Sequence, residues 1–231
     1  MVPVIKILHS LQGAAQARGL AVVIDVLRAF STACYVAAGG ASRICTVADA
    51  DGARRLKRLH PQAILLGERG GYRIPGFDMG NSPSQAIHIN WSGRTAILTT
   101  SNGTMGLAAA NHADEVVTGS FVNAGAIVSY IRQRAPSMVS LVCMGSNGEP
   151  AIEDTLCALY LVAALKGNPL DFASLKRAVM AGGSVAKFIA SESPDIPFED
   201  LNMCLALDLF GFALSVYIDS ECGLTLRPIK V

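Results

Sequence analysis

Three carboxylates in this chain stand next to apolar runs, where chemistry is more natural than burial. Asp25 follows Val22, Val23 and Ile24, Glu68 follows the run from Ala63 to Gly67, and Asp154 follows Ala151, Ile152 and Glu153. A carboxylate at such a point is costly to desolvate unless it is paired or bound to a cation. Asp25 suits an N-cap or an ion pair with Arg28, or alternatively a hard-metal ligand or a nucleophile. Glu68 has Arg69 as a ready partner, and Asp154 suits the first turn of a helix. Brought to one sheet edge, the three would share a cation, and oxygen-only donors favour magnesium. Around them lie groups suited to anions. Residues 67–83, GERGGYRIPGFDMGNSP, place five glycines, two prolines and two arginines in 17 residues, together with Glu68, Asp78, Asn81 and Ser82. Residues 99–104, TTSNGT, offer hydroxyls, an amide and a glycine leading into a helix, a pattern that presents donors and a positive dipole end to an anion. Arg28 and Arg69 add bidentate phosphate or carboxylate contacts.

The elements that must position these residues form a repeating pattern. Apolar runs at 21–24, 44–47, 63–66, 95–98, 115–118 and 139–143 read as strands. Helical patterns at 32–38, 49–59, 83–89, 104–110, 123–134 and 153–166 separate them. Strands apolar throughout and alternating with helices predict an α/β fold, a mostly parallel or mixed sheet covered on both faces. Ligands of such sheets bind beyond the carboxyl ends of the strands. Five of the strand ends carry small polar residues, glycines or acids: 25–28, 67–83, 99–104, 119–123 and 144–149, the last continuing to Glu153 and Asp154. Beyond Gly167 the rhythm changes. Residues 170–191 read as helical with an interruption at Gly182 and Gly183, residues 198–209 as another helix, and residues 223–231 as a closing strand. No repeat or long linker divides the chain, so one domain over 1–231 is expected.

Composition narrows the function. With 231 residues, 51% hydrophobic and 16% charged, the chain builds a sizeable core, and a formal charge of +1 leaves no basic surface for nucleic acid. The best membrane candidate, residues 203–218, is 16 residues long and contains Asp208, so a core segment is expected in place of a span. The start of the sequence has no secretory pattern. Six dispersed cysteines without a C-x-x-C pair argue against structural zinc and suit free thiols in a reducing cytoplasm. Cys143 sits in an apolar strand, the setting of an unactivated core thiol. The four histidines form no spaced metal pair.

Six ordered blocks carry a specific resemblance: 25–29 (DVLRA), 67–69 (GER), 76–83 (GFDMGNSP), 100–104 (TSNGT), 119–123 (GSF with Asn123) and 151–154 (AIED). Together they resemble the 2-phosphosulfolactate phosphatase (ComB-like) family, closely over 20–165, with a divergent part at 167–231. The resemblance implies a three-layer α/β/α fold and a magnesium-dependent acid phosphatase. In its named role the family hydrolyses 2-phosphosulfolactate to sulfolactate and phosphate in coenzyme M biosynthesis, so the implied partner is a small phosphorylated acid. Carried onto this chain, the magnesium set is Asp25, Glu68 and Asp154, with Asp25, Arg28 and Glu68 as catalytic candidates. Arg69, Asn81, Ser82, Asn102, Gly103 and Thr104 are the candidates for phosphate and the other acidic groups. The nucleophile is either a metal-positioned water or a carboxylate, with Asp25 the covalent candidate. Two departures bear on the pocket wall: Leu159 where the family pattern has glycine, and an apolar chain after Gly211. A homodimer and core packing are equally good uses of that apolar part. A haloacid-dehalogenase-type phosphatase is the nearest rival enzyme, but Leu27 occupies the second acidic position of its Asp-x-Asp signature. No P-loop or strand-linked G-x-G-x-x-G is present. The remaining alternative is a relative that binds phosphate or another anion without turnover.

Overall fold

The computed structural model describes residues 3–146 and 148–231. Ten strands occur among the described residues: β1 Val4–His9, β2 Leu20–Ile24, β3 Arg43–Thr46, β4 Ile64–Arg69, β5 Tyr72–Arg73, β6 Thr95–Thr99, β7 Glu115–Gly119, β8 Met138–Cys143, β9 Phe212–Asp219 and β10 Gly223–Lys230. The helices are α1 Ser10–Ala15, α2 Ala29–Ala38, α3 Ala50–Leu59, α4 Pro83–Ala86, α5 Gly103–Ala109, α6 Ala124–Arg134, α7 Ile152–Leu165, α8 Phe172–Met180, α9 Gly183–Ala190 and α10 Phe198–Cys204.

The sheet order is β1-β8-β2-β7-β9-β10-β3-β6-β4-β5. One parallel set consists of β1, β8, β2 and β7, and a second of β3, β6 and β4. The antiparallel hairpin β9–β10 lies between them. It meets β7 through the pairs Val117–Ser215 and Thr118–Leu214, and β3 through Thr225–Cys45 and Leu226–Ile44. Side-chain alternation divides the core into layers. All five residues of β2 are buried: Leu20, Val22 and Ile24 face the core under α6 and α7, whereas Ala21 and Val23 face the core under α1, α2 and α5. On the second parallel set, Cys45, Leu65 and Ile97 pack with Ala53 and Leu56 of α3. The result is the three-layer α/β/α arrangement that the resemblance implies, with the sheet covered on both faces as the alternating pattern predicts.

Several local expectations are corrected. The strand expected to stop at Leu66 continues to Arg69, then turns through Gly70 (φ +62°) and Gly71 (φ +95°) into β5. Gly67 permits this course, since a Cβ there would lie 2.3 Å from the Thr99 carbonyl oxygen. The helix expected over 83–89 ends at Ala86. The apolar run 203–218 is neither one helix nor a span: it contains the end of α10 and most of β9. No helix among the described residues is long and apolar enough to cross a membrane. β1 and α1 were not anticipated, because an edge strand paired only with β8 keeps a mixed, partly exposed face. Both family departures lie away from the site described below: Leu159 is exposed on α7, and the chain after Gly211 forms the central hairpin.

Candidate active site

Four strand ends converge on one small pocket of about 90 Å³. It is lined by Asp25, Leu27 and Arg28 after β2, Glu68, Gly70 and Gly71 at the β4–β5 turn, Ser101 and Asn102 after β6, Gly145 and Ser146 after β8, with Asn81 and Lys187 completing the wall. The strand end after β7 takes a different course. Ser120 and Asn123 cap each other at a buried 3₁₀ turn and do not line the pocket. Asn147, in the stretch after β8, lies outside the described residues.

Asp25 is fixed by the helix that follows it. Its Oδ1 accepts the Ala29 N–H at 3.1 Å, and no hydrogen bond among the described residues reaches Oδ2. That oxygen lies beside Gly103, where a Cβ would come within 2.9 Å of Asp25 Oδ2 and 2.8 Å of the Ala29 Cβ. Gly103 therefore contributes the space that the carboxylate occupies. Burial pushes Asp25 up to about 7, the Ala29 N–H opposes the shift, Glu68 adds to it, Lys187 counters it and Glu153 adds again.

The other two acids brace the walls. Asp154, on the first turn of α7, accepts Val26 N–H at 2.8 Å and Gly145 N–H at 2.9 Å. Burial, then the charges of Asp25 and Glu153, hold its carboxyl well above the usual range. Glu68 accepts Ser101 N–H at 2.7 Å on one oxygen, and Gly71 N–H at 2.7 Å and Ser101 O–H at 2.9 Å on the other. It thereby ties the β4–β5 turn to the loop after β6. Among the described residues, no three His, Cys, Asp or Glu side chains converge as a ready-made metal cage. The donors nonetheless suit a hydrated hard cation, which needs only one or two protein oxygens. Asp25 and Asn81 both line the pocket, and among the described residues Asp25 Oδ2 accepts no hydrogen bond and Asn81 Oδ1 is buried without a partner.

Arg28 is in the pocket wall but already heavily engaged. Its guanidinium donates to Asp200 Oδ2 at 2.6 Å, the Asp195 carbonyl at 2.7 Å and the Gly71 carbonyl at 2.8 Å. It does not pair with Asp25. Asp200, fully buried on α10, also accepts from the hydroxyls of Ser82 (2.8 Å) and Ser84 (2.6 Å) and from Ser84 N–H (3.0 Å). Of the remaining expected residues, Arg69, Ser82 and Thr104 stand back from the pocket. Ser82 caps α4 and serves Asp200. Arg69 turns away onto the Glu68 carbonyl and Thr99 Oγ1. Thr104 exchanges hydrogen bonds with Thr100 across the start of α5. Asn102 lines the wall and donates to the Gly145 carbonyl at 3.3 Å. Asp78 accepts Leu65 N–H at 2.7 Å and closes its own loop. Cys143 is a buried thiol pushed upward by desolvation, unsuited to nucleophilic attack at neutral pH. Sequence reasoning missed Lys187 and Asp200. Both lie in the helical segment beyond 167, where nothing in the local pattern separates a pocket residue from a surface or capping one.

The ends of four strands of an α/β sheet thus gather acids, amides and two cations around one small pocket. A family model described as 2-phosphosulpholactate phosphatase matches residues 6–212. The chain belongs to that family. A protein of Caldicellulosiruptor saccharolyticus named probable 2-phosphosulfolactate phosphatase is 42% identical over 146 residues, covering 62% of this chain and 60% of that protein. One of the same name from Gloeobacter violaceus is 39% identical over 153 residues, 65% of each chain. These two matches span less than two thirds of those relatives. A third, from Bacillus subtilis and also so named, is 33% identical over 212 residues, 90% of this chain and 91% of that protein.

Proposed function

We propose that this protein is a magnesium-dependent phosphatase acting on a small acidic phosphate monoester, with 2-phosphosulfolactate, cleaved to sulfolactate and phosphate, as the substrate. The observation that carries the reading is Asp25: a buried carboxyl lining a pocket that also holds Arg28, Lys187 and Asn102, with one oxygen that accepts no hydrogen bond among the described residues. The family and the names of its relatives support the reaction class.

Asp25 Oδ2 and Asn81 Oδ1 would hold the cation, which supplies positive charge to the phosphoryl oxygens when bound. Asp25 orients the attacking water, whose proton passes to solvent as the water oxygen bonds to phosphorus. The bond from phosphorus to the ester oxygen breaks, and the departing oxygen takes up one proton, so that an alcohol and phosphate result. Arg28 and Asn102 face the anion with fixed donors, while Glu68 and Asp154 keep the surrounding backbone in place. Phosphoryl transfer depends mainly on such positioning and charge stabilisation.

Phosphate release from 2-phosphosulfolactate and a panel of monoesters, with magnesium and then with chelator, tests the proposal. Magnesium-dependent release is expected, and Asp25→Asn should lower kcat by about 10²–10⁴-fold in a folded protein. Release that is insensitive to chelator removes the metal, and silence across the panel leaves a non-catalytic anion-binding protein.

A further inference from the structure

We propose that Lys187 is the specificity-determining cation of this pocket, holding a second acidic group of the substrate, a carboxylate or sulfonate close to the ester oxygen. The inference rests on the phosphatase reading and extends it to how the substrate is chosen.

Two basic side chains line the pocket, Arg28 and Lys187. They flank the same buried aromatic ring: the Arg28 guanidinium carbon lies 5.6 Å, and the Lys187 ammonium 5.3 Å, from the centroid of Phe188. Their circumstances differ. Arg28 is neutralised by Asp200 at 2.6 Å and further tied to two carbonyls. Lys187 has no salt-bridge partner among the described residues, although its helix is firmly placed. Val185 and Phe188 anchor α9 in the core, and Gly182 lets it close on α7, since a Cβ there would lie 2.8 Å from Ile152 Cγ2. The pocket thus presents one cation paired in a salt bridge within the protein and one, felt by Asp25 but in no salt bridge among the described residues, that can still pair with a ligand. A phosphate near Asp25 and Asn102 accounts for one anionic group only. A neutral substituent beside Lys187 would leave the ammonium without a paired anion from the ligand, which disfavours esters lacking a second acid. The long flexible stem suits a group whose position varies between a carboxylate and a sulfonate.

Two esters of nearly equal shape isolate the effect: 2-phospholactate, and isopropyl phosphate, in which a methyl replaces the carboxylate. In the wild type, kcat/KM should favour the acid. In Lys187→Gln that preference should fall by about tenfold or more, chiefly through KM, and Lys187→Arg should restore most of it, as expected for one charge-assisted contact. Calorimetric titration with sulfolactate should show a matching rise in Kd of about tenfold for Lys187→Gln. Equal losses on both esters, or an unchanged sulfolactate Kd, would overturn the assignment. If the wild type hydrolyses neither ester, the sulfolactate titration alone decides the role of Lys187, and only silence on 2-phosphosulfolactate as well removes the phosphatase reading.

Discussion

Gly103 matters for the side chain it lacks. The sequence places it in a polar run suited to phosphate, yet its backbone neighbours show a second use: it leaves room for the Asp25 carboxylate and for Ala29. Gly103→Ala should therefore move Asp25 or strain α2. A stability loss of about 1–3 kcal/mol in urea is expected, accompanied by a fall in kcat, because overpacking a filled site forces its neighbours aside. Unchanged kcat in a folded variant would separate Gly103 from Asp25. At this scale the sequence was informative where a residue's neighbours in the chain set its environment. Asp25 was legible because β2 is apolar on both faces, so the first charge after it had to sit at a buried edge. Ser82 reads as a phosphate candidate in the sequence, and in the structure it caps α4. Its second partner, Asp200, lies 118 residues away, a separation that no local pattern encodes.

Among the elements, α10 has more influence on the site than its length suggests. Through Asp200 it holds Arg28, the start of α4 and, by way of Arg28, the Gly71 carbonyl. Removing one partner of a buried pair leaves the other charge uncompensated. Asp200→Ala should cost about 3–5 kcal/mol of unfolding free energy. A double-mutant cycle with Arg28→Met should recover part of that loss, and strictly additive losses would deny the coupling. The parallel strands were readable because continuous apolar runs between helical patterns have few other uses. β9 was not, since 203–218 is apolar without a strict period, and such a run is ambiguous between helix and strand until its partners are known. β10 was recognised as a strand but expected to close the sheet, whereas it lies in its interior.

For the molecule as a whole, buried acids couple stability to pH. Asp25 titrates near 7 in the folded protein against 3.8 when free, and Asp154 shifts in the same direction. The groups acting on Asp25 are Glu68 from β4, Glu153 from α7 and Lys187 from α9. The folded state therefore retains protons that the unfolded chain has released. With respect to Asp25, stability is greatest below about pH 4 and declines as pH rises through the interval up to about 7, and Asp154 acts in the same direction. Without divalent cation, Tm should drop by about 5 °C between pH 5 and pH 8 as Asp25 ionises, with other groups superimposed. Magnesium should raise Tm more at pH 8 than at pH 5, because it competes with protons for the same carboxylate. An equal magnesium effect at both pH values would exclude Asp25 as its ligand.

The central place of the β9–β10 hairpin also governs when the site comes into being. Every other strand precedes it in the chain, so during synthesis two parallel half-sheets emerge before the piece that joins their hydrogen-bonded edges. Asp25 and Gly145 belong to one half, Glu68 and Ser101 to the other. A nascent chain that has reached Gly211 already carries all six motif blocks, yet β7 and β3 still present unpaired inner edges, the kind of surface that invites pairing with another chain. The time between emergence of β8 and arrival of β10 is thus the protein's interval of greatest exposure to misassembly.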